Sequence, residues 1–148
     1  MEISEFLFQN CVISDSDCHS KKDALDRLAK TIADSDSATS QSEVYDCLLA
    51  RERLGSTGLG QGIAIPHGRL AQGKKTLAAF LQLQNPVDYD AVDKRPVDLL
   101  FALIVPEDAT DEHLQILAKL AEMFSQEQLV ANLRKASTPQ ELYSLLTE

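Results

Sequence analysis

His67 sits between Pro66 and Gly68 and closes a run whose residue types suit chemistry: Arg51-Glu52-Arg53-Leu54-Gly55-Ser56-Thr57-Gly58-Leu59-Gly60-Gln61-Gly62-Ile63-Ala64-Ile65. An imidazole with an ordinary pKa of about 6.5 is largely neutral at neutral pH, so a ring nitrogen has a lone pair free to attack. Arg51 and Arg69 flank the run, and a guanidinium fork matches two oxygens of a phosphoryl group. Ser56 and Thr57 add hydroxyls, and the backbone N–H groups around Gly58, Gly60 and Gly62 converge on an anion if the turn exposes them. Together these residues describe a candidate nucleophile or phosphate site. A histidine that merely occupies a turn beside a proline is the competing account.

Several other chemistries fail on particulars. No Gly-Lys-Ser/Thr ends the loop, as a nucleotide-binding P-loop requires, and Gly58 to Gly62 reads G-x-G-x-G rather than G-x-G-x-x-G. The G-x-S-x-G elbow of a serine hydrolase is absent. Two-histidine metal spacing of the H-E-x-x-H kind does not occur either. Cys11, Cys18 and Cys47 have no C-x-x-C pairing, and with His19 they match no common zinc pattern, so free thiols of a cytoplasmic protein are expected, with no metal and no cofactor.

The elements that must hold His67 can be read from period and punctuation. Ile63-Ala64-Ile65 predicts a short strand with the imidazole at its end. Ser40 and Glu43 form an S-x-x-E start for a helix that carries Val44, Leu48 and Leu49, ends near Arg53, and is stopped by Gly55. Arg51 therefore rides on its last turn. An earlier helix starts at Ser20, with Ala24, Leu25, Leu28, Ala29 and Ile32 on one face, and a polar loop spans 34–42. Thr76 to Gln84 alternates as a strand until Asn85-Pro86 breaks it. Val97 to Val105, apolar between Pro96 and Pro106, fits a central strand covered on both faces. Thr110 is the expected N-cap of a helix burying Leu114, Leu117, Ala118, Ala121 and Phe124. Leu129, Val130 and Leu133 suggest another, and Thr138-Pro139-Gln140-Glu141 starts the last. The alternation of strands and helices predicts an α/β fold with helices covering a sheet, as one domain over 1–148.

The 148 residues carry a formal charge of −9, with 44% hydrophobic and 25% charged residues. That balance is the opposite of the basic surface a nucleic acid needs. It favours a partner with a basic or apolar docking face. The N-terminus lacks a basic segment followed by an apolar one, so no signal peptide is expected. The run Leu99 to Val105 is too short to cross a bilayer, and no membrane insertion is expected.

Gly-Ile-Ala-Ile-Pro-His-Gly at 62–68, preceded by Arg-Glu-Arg-Leu-Gly-Ser-Thr-Gly at 51–58, resembles the signature of bacterial phosphotransferase-system enzyme IIA domains of the fructose/mannitol type. The likeness continues through Pro86, Tyr89-Asp90-Ala91, Pro96-Val97-Asp98-Leu99-Leu100-Phe101 and Val105-Pro106 to His113, and so covers nearly the whole chain. The resemblance implies a mixed β-sheet with helices on both faces. It implies that His67 accepts a phosphoryl group from the phosphohistidine of a small HPr-like carrier, that His113 is the second active-site histidine, and that Arg51 holds phosphoryl oxygens. With Thr110 as N-cap, His113 would stand at N3, where the helix dipole favours an anion. Without the resemblance, His113 reads as a solvated residue on an amphipathic helix. The length, and Phe8-Gln9-Asn10-Cys11-Val12-Ile13 near the start, look most like the nitrogen-regulatory branch, whose phosphorylation state controls partners such as sensor kinases or transport regulators. The alternatives are a sugar-specific component passing phosphate to an enzyme IIB, and a binding module indifferent to phosphorylation.

Overall fold

A computed structural model describes residues 2–71 and 73–148. The strand between the two prolines, β6 (Val97–Pro106), organises it, and residues 99–105 are buried on both faces. Such a strand has to be covered from above and below. On one side, β5 (Leu77–Val87) pairs antiparallel with it, Phe80 opposite Phe101, and β1 (Val12–Asp15) runs parallel to β5. On the other side lie two short strands in succession, β3 (Ile63–Ala64) and β4 (His67–Leu70), both parallel to β6. Ile63 pairs with Leu99 and His67 with Leu103, the same offset, so the interruption at Ile65-Pro66 costs no register. Proline has no N–H to give, and a sheet tolerates it best at such an edge. The Pro66 carbonyl still accepts from the Leu103 N–H at 3.0 Å. β2 (Gly58–Gly60) forms an antiparallel hairpin with β3 at the outer edge.

Among the described residues, five α-helices cover the sheet: α1 (Lys21–Asp34), α2 (Gln41–Glu52), α3 (Thr110–Phe124), α4 (Glu127–Lys135) and α5 (Pro139–Thr147). Three start as their sequences predict, with Ser20, Ser40 and Thr138 each accepting the N–H three residues on. The side-chain alternation of β4 and β6 assigns faces. Gly68 meets Cys47 of α2, whereas Phe101 packs with Phe80 and with Phe124 of α3, ring centroids 6.2–6.4 Å apart. The mixed sheet with helices on both faces is what the resemblance implies.

Four local expectations need correction. β5 does not end at Asn85-Pro86: the pairing skips there and Val87 rejoins opposite Val97, so the proline marks an irregularity on a strand that continues. His67 opens β4 rather than terminating a strand. Ala109, not Thr110, is the N-cap of α3, and the Thr110 hydroxyl instead accepts from an Arg69 Nη1 N–H at 3.4 Å. The buried face of α3 is Ile116, Leu120 and Phe124, which leaves Ala118 and Ala121 exposed and Leu114 62% exposed. β1 was not foreseen; its four residues show burial only at Val12 and partial cover elsewhere, too short for a period to register.

Candidate functional site

Two side chains meet at the end of the sheet where β4 begins. Alternation along β4 turns the His67 ring towards α3, and His113, in the first turns of that helix, meets it edge-on, ring centroids 5.3 Å apart and planes at 69°. Nδ1 of His67 lies 2.7 Å from the Ile65 carbonyl. A carbonyl only accepts, so Nδ1 carries the proton and Nε2 keeps its lone pair. Burial pushes the His67 pKa below the usual histidine value; the Ile65 hydrogen bond and the Glu52 carboxylate work against this, and Arg51 reinforces it. Burial likewise lowers that of His113, helped by His67, Arg69 and Arg51. Both rings are therefore neutral at neutral pH. Nε2 of His113 is buried without a hydrogen-bond partner among the described residues, an atom that ordinarily demands one.

The histidines line an open cleft of ≈ 930 Å³ between α2 and α3, together with Arg51 and Arg69. Arg51 occupies the last turn of α2, where a cation complements the helix dipole, and its Nη1 donates to the Gly55 carbonyl at 2.8 Å. Arg69, two residues beyond His67 on β4, is exposed. Cys47 reaches the cleft wall, its thiol donating to the Arg69 carbonyl at 3.3 Å. A Cβ on Gly68 would stand 2.6 Å from the Cys47 sulfur, so glycine is what lets α2, and Arg51 with it, approach β4. Leu54 and Leu114 give the mouth two exposed apolar side chains, with Glu43, Asp46 and Glu107 at its rim.

The other residues singled out from the sequence lie elsewhere. Gly58 and Gly60 form the β2 edge, and none of Ser56, Thr57, Gly58, Gly60 or Gly62 lines the cleft. Their polar groups are occupied within the fold. The Gly58 N–H goes to Ser56 Oγ, the Gln61 N–H to Asp93, and the Gly62 carbonyl accepts from Asp98 and Leu99. Gly62 has φ +85°, and a Cβ there would meet Arg134 Nη2 at 2.5 Å, inside the Arg134–Asp98 ion pair. The glycines thus build a tight hairpin pinned by distant side chains rather than a cradle around the imidazole. His113 stands at N4, its own N–H already bonded to the Ala109 carbonyl, so it does not offer the free helix-start donor expected at N3.

Sequence reasoning missed a buried polar cluster behind the cleft. Glu52 is 6% exposed and accepts from the Thr57 N–H, the Thr57 hydroxyl and Lys21 Nζ. The Thr57 hydroxyl also lies 3.1 Å from that of Tyr89, a fully buried ring whose pKa burial raises strongly. Spacing held the clue, because Val44, Leu48 and Glu52 follow one helical stripe.

Among the described residues no helix is long and apolar enough to cross a membrane, and no group of three or more His, Cys, Asp or Glu side chains is placed to hold a metal. The three cysteines are unpaired.

Comparison with known proteins places this architecture. Residues 5–148 match the family model described as "Phosphoenolpyruvate-dependent sugar phosphotransferase system, EIIA 2". The chain is 42% identical over 149 residues to a nitrogen regulatory protein of Klebsiella oxytoca, covering 100% of this chain and 91% of that protein. It superposes on the crystal structure of the nitrogen regulatory protein IIA-Ntr from Neisseria meningitidis with a TM-score of 0.90 at 44% identity, covering 98% and 99% of the two chains. The mannitol IIA of Escherichia coli, at 21% identity and TM-score 0.75 over 93% and 96%, shares the fold. The chain belongs to the EIIA type 2 family of the phosphoenolpyruvate-dependent sugar phosphotransferase system.

Proposed function

We propose that His67 is the phosphoryl acceptor of this domain and that it takes the group from the phosphohistidine of an HPr-like carrier. The observation that carries the reading is the hydrogen bond from Nδ1 to the Ile65 carbonyl, which leaves Nε2 as the nucleophilic nitrogen of the His67 ring in a cleft shared with His113, Arg51 and Arg69. In the transfer, a bond forms between Nε2 and phosphorus as the bond from phosphorus to the donor's ring nitrogen breaks. The donor ring keeps the electron pair of that bond. The proton already on Nδ1 of His67 stays there, and the Ile65 carbonyl stabilises the cationic phosphoimidazole. No proton has to move during the step.

What the protein contributes is position and charge, as phosphoryl transfer demands. Arg51 and Arg69 supply the positive charge, and the unpartnered Nε2 of His113 is the donor in reserve for an incoming phosphoryl oxygen. Ser56, Thr57, Gly58, Gly60 and Gly62 shape the hairpin and the turn after α2, and they bear on phosphate only through that shape.

The relatives named as nitrogen regulatory proteins support a regulatory rather than a sugar-delivering role. Phosphorylation would add a charge of about −2 beside two exposed leucines, enough to change which partner docks, with sensor kinases and transport regulators as target classes. The test is incubation with phosphoenolpyruvate and the upstream phosphotransferases. An acid-labile, base-stable label is expected on the wild type and none on His67→Ala. Normal labelling of His67→Ala would refute the assignment. Equal capture of partners by the phosphorylated and unphosphorylated forms would remove the switch and leave the carrier.

A further inference from the structure

We infer that Glu52 is a positioning residue for the phosphoryl site, acting through the turn that follows α2 to aim the Arg51 guanidinium; this rests on the reading of His67 as acceptor. Position 52 belongs to the buried stripe of α2, where an apolar side chain would be the inexpensive choice. A carboxylate there is costly unless fully satisfied, and this one is. Its side chain is 2% exposed; Oε1 takes the Thr57 N–H at 3.1 Å and Lys21 Nζ at 2.9 Å, and Oε2 takes the Thr57 hydroxyl. Lys21 opens α1, the end of a helix where a cation is electrostatically unfavourable, so its pairing with Glu52 explains a placement the helix alone does not. Its Nζ also stands 4.5 Å from the centre of the Tyr89 ring, whose hydroxyl meets Thr57, and this closes the cluster.

The consequence reaches the cleft in two steps. By holding the Thr57 backbone, Glu52 fixes the path of the chain from Arg53 to Thr57. The Gly55 carbonyl on that path accepts from Arg51 Nη1 at 2.8 Å, so the turn sets the direction of the fork. Gly55 adopts φ +149° with nothing within 4 Å of where a Cβ would stand, so its glycine serves the backbone path and not a packing contact. The Glu52 charge is also felt at His67, where it opposes the influence of Arg51.

Single-turnover transfer from a phosphorylated HPr-like carrier, measured with wild type, Glu52→Gln, Arg51→Ala and the double variant, tests the inference. Glu52→Gln should slow transfer by roughly 10- to 100-fold, the scale of a small misplacement, while leaving affinity for the unphosphorylated carrier unchanged. In the Arg51→Ala background the same substitution should cost nothing further. Where Arg51→Ala transfers too slowly to compare, Arg51→Lys takes its place. Gly55→Ala moves the same carbonyl without touching the buried carboxylate, and it decides the matter if Glu52→Gln does not fold. It too should slow transfer only while Arg51 is present. Additive losses, or wild-type rates in both Glu52→Gln and Gly55→Ala, would overturn the inference. A His67→Ala control that still took label would instead overturn the phosphoryl reading itself.

Discussion

At the level of single residues, the hydrogen bond between His67 Nδ1 and the Ile65 carbonyl sets the tautomer, and burial sets the neutral state, with which the ring would meet a phosphoryl group. Burial holds the pKa of His67 and of His113 below the ordinary histidine value, so the native protein binds fewer protons than the unfolded chain as pH falls past about 6.5. The stability these two rings contribute is therefore whole above that value and is lost as pH falls through it towards their folded values. Urea unfolding from pH 7 to 5 should show a steeper loss in wild type than in a His67→Gln/His113→Gln variant. NMR titration should place both midpoints below 6.5, and Arg51→Ala should move both upwards, because its charge lowers each. Equal pH slopes, or unmoved midpoints, would contradict this electrostatic account. The sequence named His67, His113, Arg51 and Arg69, and they share one cleft, because residue type and a long signature mark them. The role of the glycines was not legible, since the side chains that pin their hairpin, Asp93 and Arg134, lie 32 and 73 residues from Gln61 along the chain.

At the level of elements, the site depends on how closely α2 lies on β4. Gly68→Ala would drive a methyl into the Cys47 sulfur, with the Cys47 carbonyl at 3.2 Å close behind, so the helix must shift. Overpacking of this kind costs about 1–3 kcal/mol, and transfer should slow as Arg51 moves with α2. Adding Cys47→Ala should recover part of the stability; a thermal midpoint unchanged by Gly68→Ala would refute the close approach. On the opposite face, Phe101→Ala should cost about 3–5 kcal/mol, because the ring is fully buried against Phe80 and Phe124. Element existence was readable wherever a cap preceded a periodic run, as for α1, α2 and α5. It failed where long-range partners overrode local chemistry. The Thr110 hydroxyl accepts from Arg69 rather than from its own helix, and the Asn85-Pro86 break is bridged because Val97 stands ready to pair with Val87.

For the whole molecule, a formal charge of −9 sets the long-range field, and the two arginines of the cleft are local exceptions to it. Encounter with a carrier that docks through a basic face should slow as salt rises to about 0.5 M, where screening shortens to a few ångströms, with little change in the transfer step once the complex has formed. Stopped-flow transfer at two ionic strengths separates the two; a transfer step that slowed as much as encounter would count against steering by net charge. The α/β class followed from alternating elements, and the mixed sheet from the resemblance; the buried Glu52 cluster, which ties α1, α2 and the segment around Tyr89 together, could not be seen until those segments were assembled. The most direct test of the central claim is ³¹P and ¹⁵N NMR of the intact protein after phosphorylation by an HPr-like donor. The account predicts one phosphoryl group on Nε2 of His67, with Nδ1 still protonated. A phosphorus on Nδ1, or on any other residue, would contradict it.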